Sequence, residues 1–305
     1  MDSMWFWFSL IALVCWSGSD LFSKIGCRDG SDRYAHLKMV IAVGVVMGIH
    51  AAYEIITGNA VVTWNVFLTY LPVSALYILS MTIGYVGLRY IELSISSPIC
   101  NTSGAIVAIL AIITGGLGEV NGAQLAAVAC VIVGVVGLGI VEAHEDEELR
   151  KARQDIANFR YAKSALAIAL PVIYCLLDAL GTFADSLVLT RLDEDSANAA
   201  YELTFLLCGI ACFVYVVIIK KDRLIPKMEA PKYIGAVFET TGQFAYIYAL
   251  ADTEHVMFSA PIISCYCVAS VLWSRIFLKE KLSLKHYIMI GIAVVGIAVL
   301  GLYDA

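Results

Sequence analysis

Charge is scarce in this chain: Asp, Glu, Lys and Arg make up 15% of its 305 residues, against about a quarter in an ordinary soluble domain. So little charge cannot cover a water-facing surface, and a soluble globular fold is excluded. Long polar segments are also missing, the longest being "EAHEDEELRKARQDIANFRYAK" at 142–163. A receptor or assembly scaffold would need larger loops or a soluble domain, and this chain has neither. No HExxH or Gly-x-Ser-x-Gly motif and no His/Asp cluster is present, which argues against an intramembrane enzyme working with an acid and a base. The nine cysteines follow no metal-ligand spacing, so neither a metal nor another cofactor is expected. They read as small buried hydrophobes, with Cys27 in a loop. Nothing resembles a nucleic-acid footprint, and the net charge of -6 says little about partners when most of the chain faces lipid.

What is present is apolar sequence: 60% hydrophobic residues and a mean hydropathy of +0.82. Ten apolar runs of roughly 20 residues, each long enough to cross about 30 Å of hydrocarbon as helix, fall near 4–26, 36–57, 67–90, 94–117, 122–142, 164–190, 198–219, 232–251, 256–278 and 284–303. The first follows "MDSM", with no basic residue before it and no cleavage-type site after it, so it is expected to stay as a helix. If the runs alternate across a bilayer, every Lys and Arg except Arg191 falls on one side. By the positive-inside rule that side is cytoplasmic, in a cell membrane, with both termini outside. The segment 144–163 reads as a solvated cytoplasmic helix, with pairs such as Glu147 and Lys151 at i,i+4.

The chain also reads as two related halves, 1–143 and 164–305. "YVGLRYIELSISSPI" before Pro98 parallels "YIYALADTEHVMFSAPI" before Pro261, so that Tyr85 falls on Tyr248. In each half a Ser-rich helix start with Pro in its first turn is followed by a span, an acidic turn ("GGLGEVNGAQL", "FLKEKLSLKHY") and a Gly-spaced last helix. Five is odd, so the second unit must enter the membrane from the opposite side. The expected fold is therefore all-α, with ten transmembrane helices in two inverted five-helix repeats, an arrangement that in transporters sets the substrate site near the midplane between repeats.

These features resemble the drug/metabolite transporter superfamily, in its members with two EamA-type repeats. The likeness is carried by "CWSGSDLFSK" with Trp16 and Lys24, by the Tyr/Ala-Leu runs before Pro98 and Pro261, and by "KEKLS" at 279–283 before a Gly-rich last helix. The resemblance implies a secondary transporter, not an enzyme, that exports or exchanges small metabolites such as amines, amino acids, sugars or nucleotide-linked compounds. Two features depart from the family: its well-known members keep both termini in the cytoplasm, and the first acidic turn here lacks a basic residue after Glu119.

An ionisable residue inside a span is a functional candidate by default, because charge at mid-bilayer costs at least a few kcal/mol. Asp20 in the first run and Asp178 in the sixth each lie about 20 Å along their helices and would be approximate mates under inversion. For Asp20 the alternative is an i,i+4 pair with Lys24. In the eighth run Glu239, Gln243 and Tyr246 form one polar stripe, which must face protein or water. Glu202, with Tyr201, stands near the outer surface as a site candidate or a solvated interfacial acid. His50 and Glu54 share a face suited to a structural hydrogen bond, and Asn101, after Pro98, can line a cavity or bond a neighbouring helix.

Trp16 and Tyr174 stand one turn before Asp20 and Asp178, and Tyr77, Tyr85, Tyr246 and Tyr266 lie deep in their spans, whereas Trp5, Trp7 and Trp64 read as interfacial belt residues. Carboxylates among aromatic faces suit an organic ammonium ion. They can also exchange a proton for it, with Asp20, Asp178 and Glu239 as the coupling candidates. The expected function is thus transport of amine or cationic metabolites, coupled to protons as in an antiporter working by alternating access. Export of zwitterionic or neutral metabolites is the alternative, and monomer and homodimer are both left open.

Overall fold

In the computed structural model of the chain, residues 4–28, 32–90, 93–115, 122–143, 165–277 and 282–303 are described. The expected linker helix at 144–163, the turn around Glu119 and most of "KEKLS" lie outside them. The regular structure of the described residues is helical throughout: α1 (Met4–Cys27), α2 (Ala35–Thr57), α3 (Trp64–Tyr90), α4 (Leu93–Cys100), α5 (Ser103–Gly115), α6 (Gly122–Ala143), α7 (Ala165–Val188), α8 (Glu194–Phe213), α9 (Pro226–Ala251), α10 (Val256–Ser264), α11 (Tyr266–Phe277) and α12 (Leu284–Tyr303). A π-helical turn at Val214–Ile219 continues α8.

These helices group into ten spans, because α4 with α5 and α10 with α11 are each one span with a break in it. Eight stretches are long and apolar enough to cross a membrane, and Leu284–Leu300 in α12 is a shorter apolar helix. The remaining span, α9, carries Glu239 and Gln243 along with Lys227, Glu229 and Lys232. It is a span by packing: Gly235, Ala236, Glu239, Thr240, Gly242 and Gln243 are buried against neighbouring helices, which lets a polar sequence lie at membrane depth.

The two broken spans correct the sequence reading. Pro98 and Pro261 are the sixth residues of α4 and α10, not first-turn residues. Each proline removes one i→i−4 hydrogen bond from inside its helix, and the helix gives way shortly after, at Asn101–Thr102 and at Cys265. There the chain tightens through Thr102 N to Ile99 O (3.3 Å) and Cys265 N to Ile262 O (3.0 Å).

Packing between the halves has a two-fold character. The α1·α9 contact is matched by α7·α3, and α4·α11 by α10·α5, while α2·α8 and α6·α12 map onto themselves. The self-mapped contacts are close ones. A Cβ on Gly44 would lie 2.8 Å from the Phe205 carbonyl oxygen, and one on Gly209 would lie 3.2 Å from the Gly44 Cα. Small residues at such crossings let helix backbones approach in lipid, where the hydrophobic effect does not press helices together.

The molecule has two distinct ends. At one, Lys38 Nζ lies 3.0 Å from Asp32, 3.3 Å from Asp222 and 3.9 Å from Glu229, and Lys232 Nζ lies 3.3 Å from Asp32 and 3.1 Å from Glu229. This buried network ties the α1–α2 and α8–α9 connections together. Nearby on α1, Lys24, 1% exposed, donates to the Leu88 carbonyl of α3 at 2.8 Å. At the opposite end Val61 N donates to Ser196 Oγ (3.0 Å), Tyr248 OH to Asp195 (2.6 Å), and Trp5 stacks on His255 at 5.0 Å. Trp5 is therefore a packed residue, unlike the exposed Trp7 and Trp64, and Cys27 closes α1 as a buried residue instead of lying in a loop.

Candidate functional site

Between the halves lies a cavity lined by parts of α1, α3, α4, α7, α8, α9 and α11. About 70 Å³ of it is open to the centres of water molecules, where a single water needs roughly 10–15 Å³. Among the described residues its walls carry the carboxylates of Asp20, Asp178 and Glu239 and no Lys, Arg or His. Trp16, Tyr77, Tyr85, Tyr174 and Gln243 also line it, so eight of the residues picked from sequence meet in one place. Tyr266, one of the deep tyrosines read from the sequence, lines it as well, as do Tyr201, named with Glu202, and Ser97, which the sequence pattern did not single out.

Asp20 does not use the i,i+4 pairing open to it. Its Oδ2 accepts from Ser97 Oγ at 2.6 Å and from Ser270 Oγ at 2.8 Å, while Lys24 reaches away to Leu88. Asp178 Oδ2 accepts from Ser103 Oγ at 2.8 Å. Both acids are thus tethered by serines of the two broken spans, Ser97 and Ser103 on either side of the α4–α5 break and Ser270 on α11. The α9 stripe turns as its spacing requires: Glu239 and Gln243 face the cavity, and Tyr246 continues one turn further on.

The aromatic wall is held by close helix contacts. Trp16 lies over Gly242, where a Cβ would come within 2.5 Å of its ring, and Tyr174 lies over Gly84, where a Cβ would come within 2.9 Å. The aromatic residue one turn before each Asp therefore packs on a glycine of the other half. Trp16 also meets the Tyr246 ring at 4.9 Å and the Tyr266 ring at 5.8 Å.

Three candidates stand elsewhere. Tyr246 and Asn101 line a smaller neighbouring cavity with Trp16, Asp178 and Thr182, and Asn101 donates to the Ser97 carbonyl at 2.8 Å, holding the break in its span. Glu202 lies outside the cavity lining and is no solvated acid either. It is fully buried, with both oxygens 2.9 Å from His50 Nδ1 and Asn198 Nδ2 donating to it at 3.1 Å. Glu54, 3.6 Å from His50 Nε2, completes that structural cluster.

The sequence reading also missed Asp185, which is buried two turns after Asp178 on α7. The signal was available: Asp185 is an acid inside an apolar helix, at i+7 from one already chosen.

Comparison with known proteins agrees with this architecture. Residues 166–302 match the EamA-like transporter family. No curated protein matches the chain. A solved structure described only as "Crystal structure of protein" shares the fold, with a TM-score of 0.64 and 14% identity over 99% of this chain and 98% of that one. The match covers the second half of the chain, in a fold with eight stretches long and apolar enough to cross a membrane, and points to a membrane transporter of small molecules. Its second half is EamA-like, as the resemblance implied.

Proposed function

We propose that the chain is a secondary active transporter of small organic cations, chiefly amines, working by proton-coupled alternating access, with the cavity between its halves as the substrate site. The observation that carries this is the lining itself: among the described residues, three carboxylates, no basic side chain and a set of aromatic faces around a space large enough for more than one water. Uncompensated carboxylates at membrane depth call for a proton or a cation, and an ammonium ion gains further from the aromatic rings. Asp20, Asp178 and Glu239 are the groups that exchange the two. The halves 1–143 and 164–305, joined through 144–163, act as the rocking units around this site. The Lys/Arg-rich end faces the cytoplasm of a cell membrane.

A zwitterionic substrate such as an amino acid is the second reading, favoured by one feature. The Tyr85 hydroxyl and Gln243 Nε2 are buried, lie at the cavity and have no protein partner among the described residues. Both are donors that would meet an acceptor on a substrate.

Thermal unfolding of the purified protein with amines, amino acids or sugars separates the readings, since a ligand that binds only the folded state raises the Tm. A shift with simple amines supports the first reading. A shift with amino acids alone favours the second, and a shift with sugars alone rejects both.

A further inference from the structure

From Tyr77, in the cavity wall, a chain of hydroxyl groups runs on into the packed interior. The Tyr77 hydroxyl contacts the Tyr246 hydroxyl and lies 3.2 Å from Thr182 Oγ1, which can donate to it, and Tyr246 donates to the same Thr182 oxygen at 3.0 Å. Beyond them, on the side away from the lysine-rich end, lies the carboxylate of Asp185. It accepts from Tyr77 at 3.4 Å and from Tyr70 at 2.7 Å. Tyr70 and Tyr77 are one face of α3, Thr182 and Asp185 one face of α7, so this cluster fastens the two helices together at that end.

Asp185 is 0% exposed and has no cationic partner among the described residues. The groups around it are the phenols of Tyr70 and Tyr77 from α3, Tyr246 from α9 and Tyr201 from α8, with Asp178 two turns back on its own helix. The helices α4 and α5, which also pack on α7, carry no charged residue among their positions. A buried carboxylate without a counter-charge is costly to keep ionised unless hydrogen bonds offset the lost hydration. Two phenol donors supply part of that offset, and the remaining cost makes the group a natural proton acceptor.

We propose that Asp185 is a proton-binding latch, separate from the carboxylates of the substrate cavity, that holds α3 against α7 when ionised and releases them when it takes up a proton. The ionised carboxylate accepts from Tyr70 and Tyr77 in charge-assisted hydrogen bonds. A proton arriving on either carboxylate oxygen turns that oxygen into a donor, and the grip on the two phenols weakens. The hydroxyls of Tyr77, Tyr246 and Thr182, each able to give and accept a proton, connect the latch to the cavity that Asp178 also lines. The inference rests on the proton-coupled reading above and adds to it a second proton site that closes one end of the path.

Hydrogen exchange of the full chain in nanodiscs, at pH 5 and pH 8 after correction for intrinsic exchange rates, tests the latch without needing a substrate. In the wild type, amides of α3 near Tyr70 and of α7 near Asp185 are expected to exchange faster at the lower pH, by roughly tenfold, the loss of one hydrogen bond to a charged group. Asp185→Asn cannot titrate and should give fast exchange at both pH values. Tyr70→Phe keeps the ring and removes one donor, and should raise exchange at pH 8 toward the pH 5 rate. Equal exchange at both pH values in the wild type, or an unchanged pH dependence in Asp185→Asn, overturns the proposal. Failure of simple amines to bind the wild type would reject the cavity reading and leave this difference standing, so the two failures are distinguishable.

Discussion

Glu239 is the carboxylate whose surroundings offer the cleanest single-residue test, because the neighbouring polar group on its helix face, Gln243, is already an amide. Glu239→Gln keeps the size and hydrogen-bonding capacity of the side chain and removes its charge. The variant should fold with little change in Tm and lose the pH dependence of transport in proteoliposomes, whereas coupling at the wild-type level would reduce the α9 stripe to helix packing. Glu202 belongs to the other kind of acid. Glu202→Ala removes the carboxylate that His50 and Asn198 contact, and should lower stability by about 1–3 kcal/mol with little effect on ligand affinity. A loss of affinity without a loss of stability would return Glu202 to the site. Cavity-lining acids were legible in the sequence where a charge interrupts an apolar run, as at Asp20, Asp178 and Glu239. Depth alone did not tell a cavity acid from a paired one, since the His50–Glu202 contact joins residues 152 positions apart. Asp185 interrupts an apolar run in the same way and was passed over, and only its tyrosine partners on α3 lay beyond the reach of sequence.

Among the elements, the crossing of α2 and α8 depends on two glycines, and the network at the lysine-rich end depends on compensated charge. Gly44→Ala would put a methyl group 2.8 Å from the Phe205 carbonyl oxygen, and overpacking of this kind costs about 1–3 kcal/mol, seen as a lower Tm. An unchanged Tm would mean that the helices can separate freely at that point. Lys232→Met leaves Asp32 and Glu229 with Lys38 as their remaining partner in the network and should cost about 3–5 kcal/mol. Adding Asp32→Asn to it should recover part of that loss; a further loss of equal size would mean that the charges act independently. Spans were readable from hydropathy because lipid permits few alternatives to a continuous apolar helix. The breaks at Asn101–Thr102 and Cys265 were not, because a proline is compatible with both the first turn and a kinked interior, and only packing decides between them. The opposite difficulty holds for α9, whose polar sequence is tolerable because other helices cover it.

At the scale of the molecule, the proposed topology rests on the charge bias, and the proposed shared site on the pairing of the halves around the cavity. A reporter fused after Ala305 should behave as extracytoplasmic, and cytoplasmic labelling of both termini would reverse the assignment made from the lysine-rich end. The central claim is that Asp20 and Asp178, from different halves, serve a single bound cation. It is tested most directly by a double-mutant cycle for amine binding, measured by calorimetry on the purified wild type, Asp20→Asn, Asp178→Asn and the double variant. Two carboxylates acting on one charge are expected to show strong coupling, each single variant binding more weakly and the double variant losing much less than the sum of the two free-energy changes. Full additivity, or an Asp20→Asn variant with wild-type affinity, would contradict a shared site.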